Sequence, residues 1–282
     1  MNGDISGGWL LREGKRTLRS VCPQPLLNWR EAQYYGKYGE VELHILEYLC
    51  ARGRDSIDVG ANEGSYIHYL KRYSRCVYAF EPIPELAQVL ARKFRHGVIV
   101  NNIALSDAVG TAVLRMPVVD GVVVTGCSTI APQASLAYTE HREIRVPMQP
   151  LDQIYSGNAG FMKIDVEGHE GAVLEGARRT LARCHPKLLI EIDERLSPGG
   201  ISRISHLLGD MDYRGFFIFR RELLPIGQFD PQSMQRPEDI PDLTAGLKAR
   251  ERFGRYVYNF LFFPMSEPHE TLRNIRERIA QL

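Results

Sequence analysis

The sequence predicts an α/β fold, a mostly parallel sheet with helices on both faces, and three stretches carry that prediction. One is the glycine turn Asp58-Val-Gly-Ala-Asn-Glu-Gly64, which follows Asp55, Ser56 and Ile57. After the turn, Ile67, Leu70 and Tyr73 recur at helical spacing, so the unit reads strand, turn, helix. The second is Cys76-Val-Tyr-Ala-Phe-Glu81, an apolar strand closed by a carboxylate 21 residues beyond Gly60. That matches the ~20-residue spacing of an acid that holds a ribose hydroxyl pair. The third is Phe161-Met-Lys-Ile-Asp165-Val-Glu167, again an apolar run ending in acids and followed by a helical run. Ligands of such sheets bind beyond the carboxyl ends of the strands, so Glu81 and Asp165 should face one crevice.

The expected ligand is a nucleoside without a pyrophosphate, with a nicotinamide cofactor as the alternative. A dinucleotide fingerprint needs glycine where Asn62 stands, and position 65 is serine. No Gly-Lys-Ser/Thr loop is present for a triphosphate.

In chain order, residues 1–36 lack periodicity and read as an arm or a lid. Val41, Leu43, Ile45, Leu46 and Leu49 form one apolar stripe of a helix, with Glu40 at its start. Residues 85–94 predict an amphipathic helix with Leu86, Val89, Leu90 and Phe94 inward. Val98-Ile-Val100 gives a third strand. Strands at 110–116 and 142–147 bracket an insertion of about residues 108–150, a natural place for substrate selection. One helix is expected over 170–181, a fifth strand over 187–193, and a helix over 201–211. Lys163, inside an apolar strand, should pair with Glu191 or Asp193, because an unpaired buried charge is costly. Residues 215–219 and 256–263 read as strands joined by a proline-rich connection or flap over about 220–250. The main domain should span 37–264, with 265–282 a charged, solvated outer helix.

A length of 282 residues suits one large domain with additions. A net charge of +1 offers no general attraction for nucleic acid or acidic membranes. The cysteines at 22, 50, 76, 127 and 184 are odd in number and lack a Cys-x-x-Cys, so they read as reduced thiols without zinc. No window has the length of a signal peptide core or a membrane span, so a cytoplasmic protein is expected.

The glycine turn resembles the first motif of class I S-adenosylmethionine (SAM) methyltransferases. Together with Phe80-Glu-Pro82, Asn102-Ile-Ala-Leu-Ser-Asp107 and Lys163-Ile-Asp-Val-Glu-Gly-His-Glu170, it resembles the FkbM-type methyltransferases over about residues 38–193. The resemblance implies a Rossmann-like class I methyltransferase with a seven-stranded sheet and SAM as methyl donor. It further implies an oxygen acceptor, a hydroxyl on a sugar, a glycan or a small metabolite. RNA or protein methylation and a non-catalytic SAM-binding module are the alternatives. Cofactor contacts are expected from Asp58, Gly60, Asn62, Gly64, Glu81 and Asp165. Asn102 is either an adenine-edge contact or an ordinary turn residue. Glu40 is either a cap or a contact to the methionine end.

A sulfonium methyl is already electrophilic, so the protein must align an oxygen and remove its proton. His169 is the first candidate base and Glu167 the second, with Asp165 orienting the methionine moiety. Asp165, Glu167 and His169 alternate along one run taken as extended, and they are also a candidate divalent-metal trio.

Overall fold

Strand-forming and helix-forming runs alternate along the chain as the sequence implies. A computed structural model describes residues 23–119, 121–132, 140–240, 247–249, 251 and 253–282. The described chain begins with helix α1 (Gln24–Tyr38), a 3₁₀ turn (Val41–His44) and α2 (Leu46–Leu49). Next come β1 (Asp55–Val59), α3 (Ile67–Tyr73), β2 (Val77–Phe80), α4 (Pro84–Lys93) and β3 (Val98–Asn101). Next is β4 (Ala104–Leu105), and the insertion holds β5 (Gly110–Val119), β6 (Val122–Val123) and β7 (His141–Gln149). The chain continues through α5 (Leu151–Ile154), β8 (Ala159–Ile164), α6 (Glu170–Glu175), α7 (Arg178–Cys184) and β9 (Lys187–Glu191). It closes with α8 (Gly200–Gly209), β10 (Tyr213–Phe219), β11 (Glu222–Pro225), α9 (Pro231–Met234), β12 (Asn259–Pro264) and α10 (His269–Ala280).

The main sheet runs β11-β10-β12-β9-β8-β1-β2-β3. It is parallel from β9 to β3 and antiparallel through β12, β10 and β11. The seven expected strands form this Rossmann-like sheet, and β11 adds an eighth at the edge. Strand order reverses at β1, so the crevice for a ligand opens between β1 and β8. Both central strands are buried along their whole length, as strands covered on both faces must be. The alternation is visible residue by residue. Met162, Leu188, Ile190 and Phe260 pack on one face. Phe161, Leu189, Leu261 and Phe263 pack on the other.

Several elements depart from expectation for identifiable reasons. Residues 24–38, most of them inside the segment read as an arm, form α1, while residues 1–22 lie outside the described part. That helix is held to the glycine turn by polar contacts. Buried Lys93 pairs with Glu31 and donates to the Glu63 carbonyl at 2.9 Å, and His68 lies 3.3 Å from Glu31. The stripe over 41–49 breaks at Ile45, whose φ of −113° leaves helical geometry, giving a 3₁₀ turn and one turn of α-helix. In α4 Leu90 is buried as expected, joined by Ala87, whereas Val89 is exposed. The helix expected over 170–181 is two helices. Gly176 lies against the Ser106 carbonyl so closely that a Cβ there would sit 2.0 Å from it. The Asp152 carboxylate then caps the new start, taking the Arg179 and Thr180 N–H groups at 2.7 and 2.8 Å.

Helix α10 is not simply a solvated outer element: Leu272, Ile275 and Ile279 are buried in the sheet's second core. The insertion is a second sheet in the order β4-β7-β5-β6, packed around Leu114, Met116 and Val146. Within it, residues 133–139 lie outside the described part. In the expected flap, Gln235 is buried and donates to the carbonyls of Ile192 and Val257 at 2.8 and 2.7 Å, anchoring the segment beside β9. Residues 241–246 of that flap lie outside the described part. Lys163 pairs with Asp165, just past the end of its own strand, at 2.7 Å, rather than with Glu191 or Asp193. Among the described residues, no helix is long and apolar enough to cross a membrane.

Candidate functional site

The ends of β1, β2 and β8 are tied together around the glycine turn. Gly60 donates to the Phe80 carbonyl at 2.9 Å, and Asp165 donates to the Val59 carbonyl at 3.0 Å. Gly60 has φ +79°, and a Cβ on it would lie 1.9 Å from the Asp165 carbonyl oxygen. Only glycine fits there. Gly64, at φ +82°, serves packing instead: a Cβ would collide with Leu90 and Phe94, both at 2.7 Å. Asn62 takes a left-handed φ of +45°, which asparagine tolerates better than most residues.

That conformation aims the Asn62 N–H at Glu81. One Glu81 oxygen accepts from Asn62 at 2.7 Å, and the other accepts from the Ile83 N–H at 2.8 Å. Glu81 is buried, and burial pushes its carboxyl up to about 7 although both amides pull the other way. Asn102 braces this corner from outside. Its Nδ2 donates to the carbonyls of Glu81 and Pro82, each at 2.9 Å, and the cavity wall is instead made by its neighbour Ile103.

Two cavities meet at the turn. The smaller is lined by Glu81, Ile83, Ile103 and His169, and the insertion roofs it with Leu114 and Ile130. The larger, of about 550 Å³, lies within the range of small-molecule sites. Gly60, Asn62, Asp165 and Glu167 line both. The larger cavity reaches Glu40, Asp58, Lys163, Glu191, Asp193 and Arg195, with Tyr66 and Tyr256 among its aromatic walls. Glu40 accepts hydrogen bonds from the Tyr66 hydroxyl and, at 3.1 Å, from Asn259 Nδ2, so it is both wired in place and part of the wall.

Charge is unevenly distributed here. Asp58 is 1% exposed, neither of its carboxylate oxygens has a hydrogen-bond partner among the described residues, and burial pushes its carboxyl up to about 6. Lys163 stays charged against the cost of burial because Asp165, Asp58, Glu40 and Glu191 surround it; its Nζ also lies 4.7 Å from the Tyr66 ring centre. Glu167 and Glu191 are pushed well above the ordinary carboxylate range, by burial first and then by Asp165. Oxygens of Asp165, Glu167 and Glu191 all lie within 4.8 Å of one another.

His169 stands apart from that group. Strand β8 ends at Ile164, and φ values of +51° at Glu167 and +95° at Gly168 curl the chain. The run is therefore not extended, and the trio Asp165, Glu167 and His169 is replaced by Asp165, Glu167 and Glu191. His169 Nε2 lies 3.0 Å from Ser106 Oγ, and burial lowers the pKa of the ring. It faces the smaller cavity. The insertion touches the curl as well: the buried Thr129 hydroxyl donates to the Glu167 carbonyl at 2.6 Å. Sequence reading missed Thr129, Arg195 and Tyr256 as wall residues, and it took Glu191 and Asp193 only as partners for Lys163. The same strand-ending-in-acids pattern that marked Asp165 also marks Glu191 and Asp193.

The comparisons with known proteins fall on this region. The model of the Methyltransferase FkbM domain matches residues 58–218, more than half of the chain. Among solved structures, a methyltransferase FkbM from Methylobacillus flagellatus KT is 17% identical, with a TM-score of 0.46 over 76% of this chain. The chain spans 44% of that protein's length. An rRNA methylase from Streptococcus thermophilus is 9% identical, with a TM-score of 0.41 over 79% of this chain and 93% of its own. A SAM-dependent methyltransferase from Aquifex aeolicus is 15% identical, with a TM-score of 0.34 over 63% and 82%. No curated protein matches.

Proposed function

From the premise that this chain belongs to the FkbM family of methyltransferases, we propose that it methylates a hydroxyl oxygen on a sugar, a glycan or a small metabolite. Its cofactor is SAM. The observation that carries the acceptor reading is the charge of the larger cavity. Among the described residues, seven carboxylate residues line it against two cations, Lys163 and Arg195. A nucleic acid brings one phosphate charge per nucleotide and needs a basic surface, so this wall repels it.

The residues divide the work as follows. Each Glu81 oxygen already takes one backbone N–H and keeps a lone pair for a ribose hydroxyl. Ile83, Ile103, Leu114 and Ile130 supply an apolar slot for adenine. Asp58, without a partner, takes the cofactor's ammonium group, and Asp165, fixed by Lys163, faces the sulfonium. Glu167 lines both cavities and is the base. A carboxyl raised by burial is a stronger base once ionised, and the adjacent sulfonium charge favours that ionisation. His169, bonded to Ser106 on the cofactor side, orients the wall next to the nucleoside.

The test is transfer from labelled SAM to a panel of sugars, glycans, hydroxylated metabolites and RNA, with wild type and Glu167→Gln. Label is expected in a hydroxyl-bearing small molecule or glycan. Glu167→Gln should lose ~10²–10⁴-fold in turnover while SAM affinity stays within about threefold. EDTA should leave turnover unchanged. Label appearing in RNA alone, or full turnover in Glu167→Gln, overturns the reading.

A further inference from the structure

A third cavity adjoins the larger one and has no part in the scheme above. It holds about 130 Å³, close to the ~150 Å³ that admits one benzene ring, so it has room for a single ring. The end of α1, the 3₁₀ turn after it and the segment leading into β12 line it. Glu40, Tyr66, Tyr256 and Tyr258 line this cavity and the larger one alike, whereas it shares no residue with the smaller cavity beside Glu81. It therefore lies next to the acceptor and away from the nucleoside.

Its walls combine flat apolar faces with hydrogen-bonding groups. Six aromatic side chains line it, and of these Tyr38 and Phe253 belong to neither of the other two cavities. Glu42, Glu251, Arg220 and Asn259 stand among them. Asn259 is 6% exposed; its Nδ2 donates to Glu40 at 3.1 Å, while its Oδ1 is buried without a hydrogen-bond partner among the described residues. Burial, and then the charge of Glu40, push the Glu42 carboxyl up to about 8. At neutral pH it is then a neutral acid that gives one hydrogen bond and takes others. A pyranose matches both sets of groups. Its C–H faces lie on aromatic rings, removing apolar area from water, and its rim hydroxyls meet donors and acceptors. A guest without donors would leave Asn259 Oδ1 unpaired, which is costly when buried.

Resting on the hydroxyl-acceptor reading of the larger cavity, we propose that this aromatic cavity holds a second sugar ring of the acceptor. The substrate is then a disaccharide or a longer glycan. The ring that receives the methyl sits in the larger cavity, and its neighbour sits between Tyr38 and Phe253.

Calorimetry on the protein saturated with S-adenosylhomocysteine (SAH) tests this with maltose, cellobiose, lactose and N,N′-diacetylchitobiose, each against its own monosaccharides. At least one disaccharide should bind about tenfold more tightly than its monosaccharides, the worth of burying one ring face. Phe253→Ala and, separately, Tyr38→Ala should erase that advantage and Tyr38→Phe should keep it, with SAH affinity within about threefold throughout. If Phe253→Ala fails to fold, Tyr38→Ala, at a half-buried helix end, decides alone. If neither SAM nor SAH binds, the SAM reading itself falls. If labelled SAM methylates monosaccharides as efficiently as disaccharides, the function reading stands and the second ring falls. The proposal is also overturned if no disaccharide has an advantage, or if the advantage survives in the alanine variants. Choline or phenol binding that Phe253→Ala removes, with every sugar failing, would assign the cavity to a cation or an aromatic ring instead.

Discussion

Replacing Glu81 by glutamine separates the cost of a buried acid from its use. The folded carboxyl sits at about 7 against 4.5 for the free side chain, and the group is 3% exposed. A folded pKa raised above the unfolded value means that the folded state binds more protons between pH 4.5 and 7, so stability falls as pH rises through that window. Keeping this acid in the folded state costs about 1 kcal/mol at pH 5.5 and about 3 kcal/mol at pH 8. Glutamine removes that pH-dependent part. It also sets an amide NH₂ against the Asn62 or Ile83 N–H, a loss of ~1–3 kcal/mol that does not vary with pH. Relative to wild type, Glu81→Gln should therefore gain about 2 kcal/mol between pH 5.5 and 8, read by urea unfolding at both values. The same variant should bind SAM ~10–150-fold more weakly, the equivalent of the ~1.5–3 kcal/mol of a charged hydrogen bond to ribose. A stability offset that is equal at the two pH values, or larger at pH 5.5, would refute the argument.

Three further outcomes are expected. SAM affinity should rise from pH 5.5 to 8 as Asp58 and Glu81, at about 6 and 7, give up protons to a cationic ligand; calorimetry in buffers of differing ionisation heat should record proton release on binding. Gly60→Ala should unfold the turn or abolish SAM binding, since its new methyl would overlap the Asp165 carbonyl; near-normal affinity and melting temperature would contradict the packing. Lys93→Met should cost ~1–3 kcal/mol, because it removes one of Glu31's partners and frees the Glu63 carbonyl, and it should weaken SAM binding through the glycine turn; a melting curve and a SAM titration check both.

The parts of the site that could be read in the sequence are those fixed by short-range rules. The glycine turn, Glu81 and the acids closing β8 and β9 follow from strand length, spacing and residue type within some twenty-five positions. What could not be read depends on contacts between distant segments. Gly176 breaks a helix because Ser106 happens to lie against it, and no local pattern records that neighbour. His169 leaves the acidic group because left-handed φ angles at Glu167 and Gly168 curl a run whose composition reads as extended. For α10 the signal was present: Leu272, Ile275 and Ile279 repeat at helical spacing, and the surrounding charges hid it. The partner expected for Lys163 across the sheet is found instead two residues on, at Asp165 just past the end of β8.

The insertion contributes walls to both cavities with the same few residues. Thr125 and Gly126 line each of them, and Thr129 reaches the backbone of Glu167. In the proposed function, donor and acceptor then share a partition. A ligand on one side that shifts this loop changes the room and hydrogen bonds available on the other, and equilibrium linkage makes the effect mutual and equal in size. On that proposal, a substitution in this short loop that retunes the acceptor should also move the apparent affinity for the methyl donor.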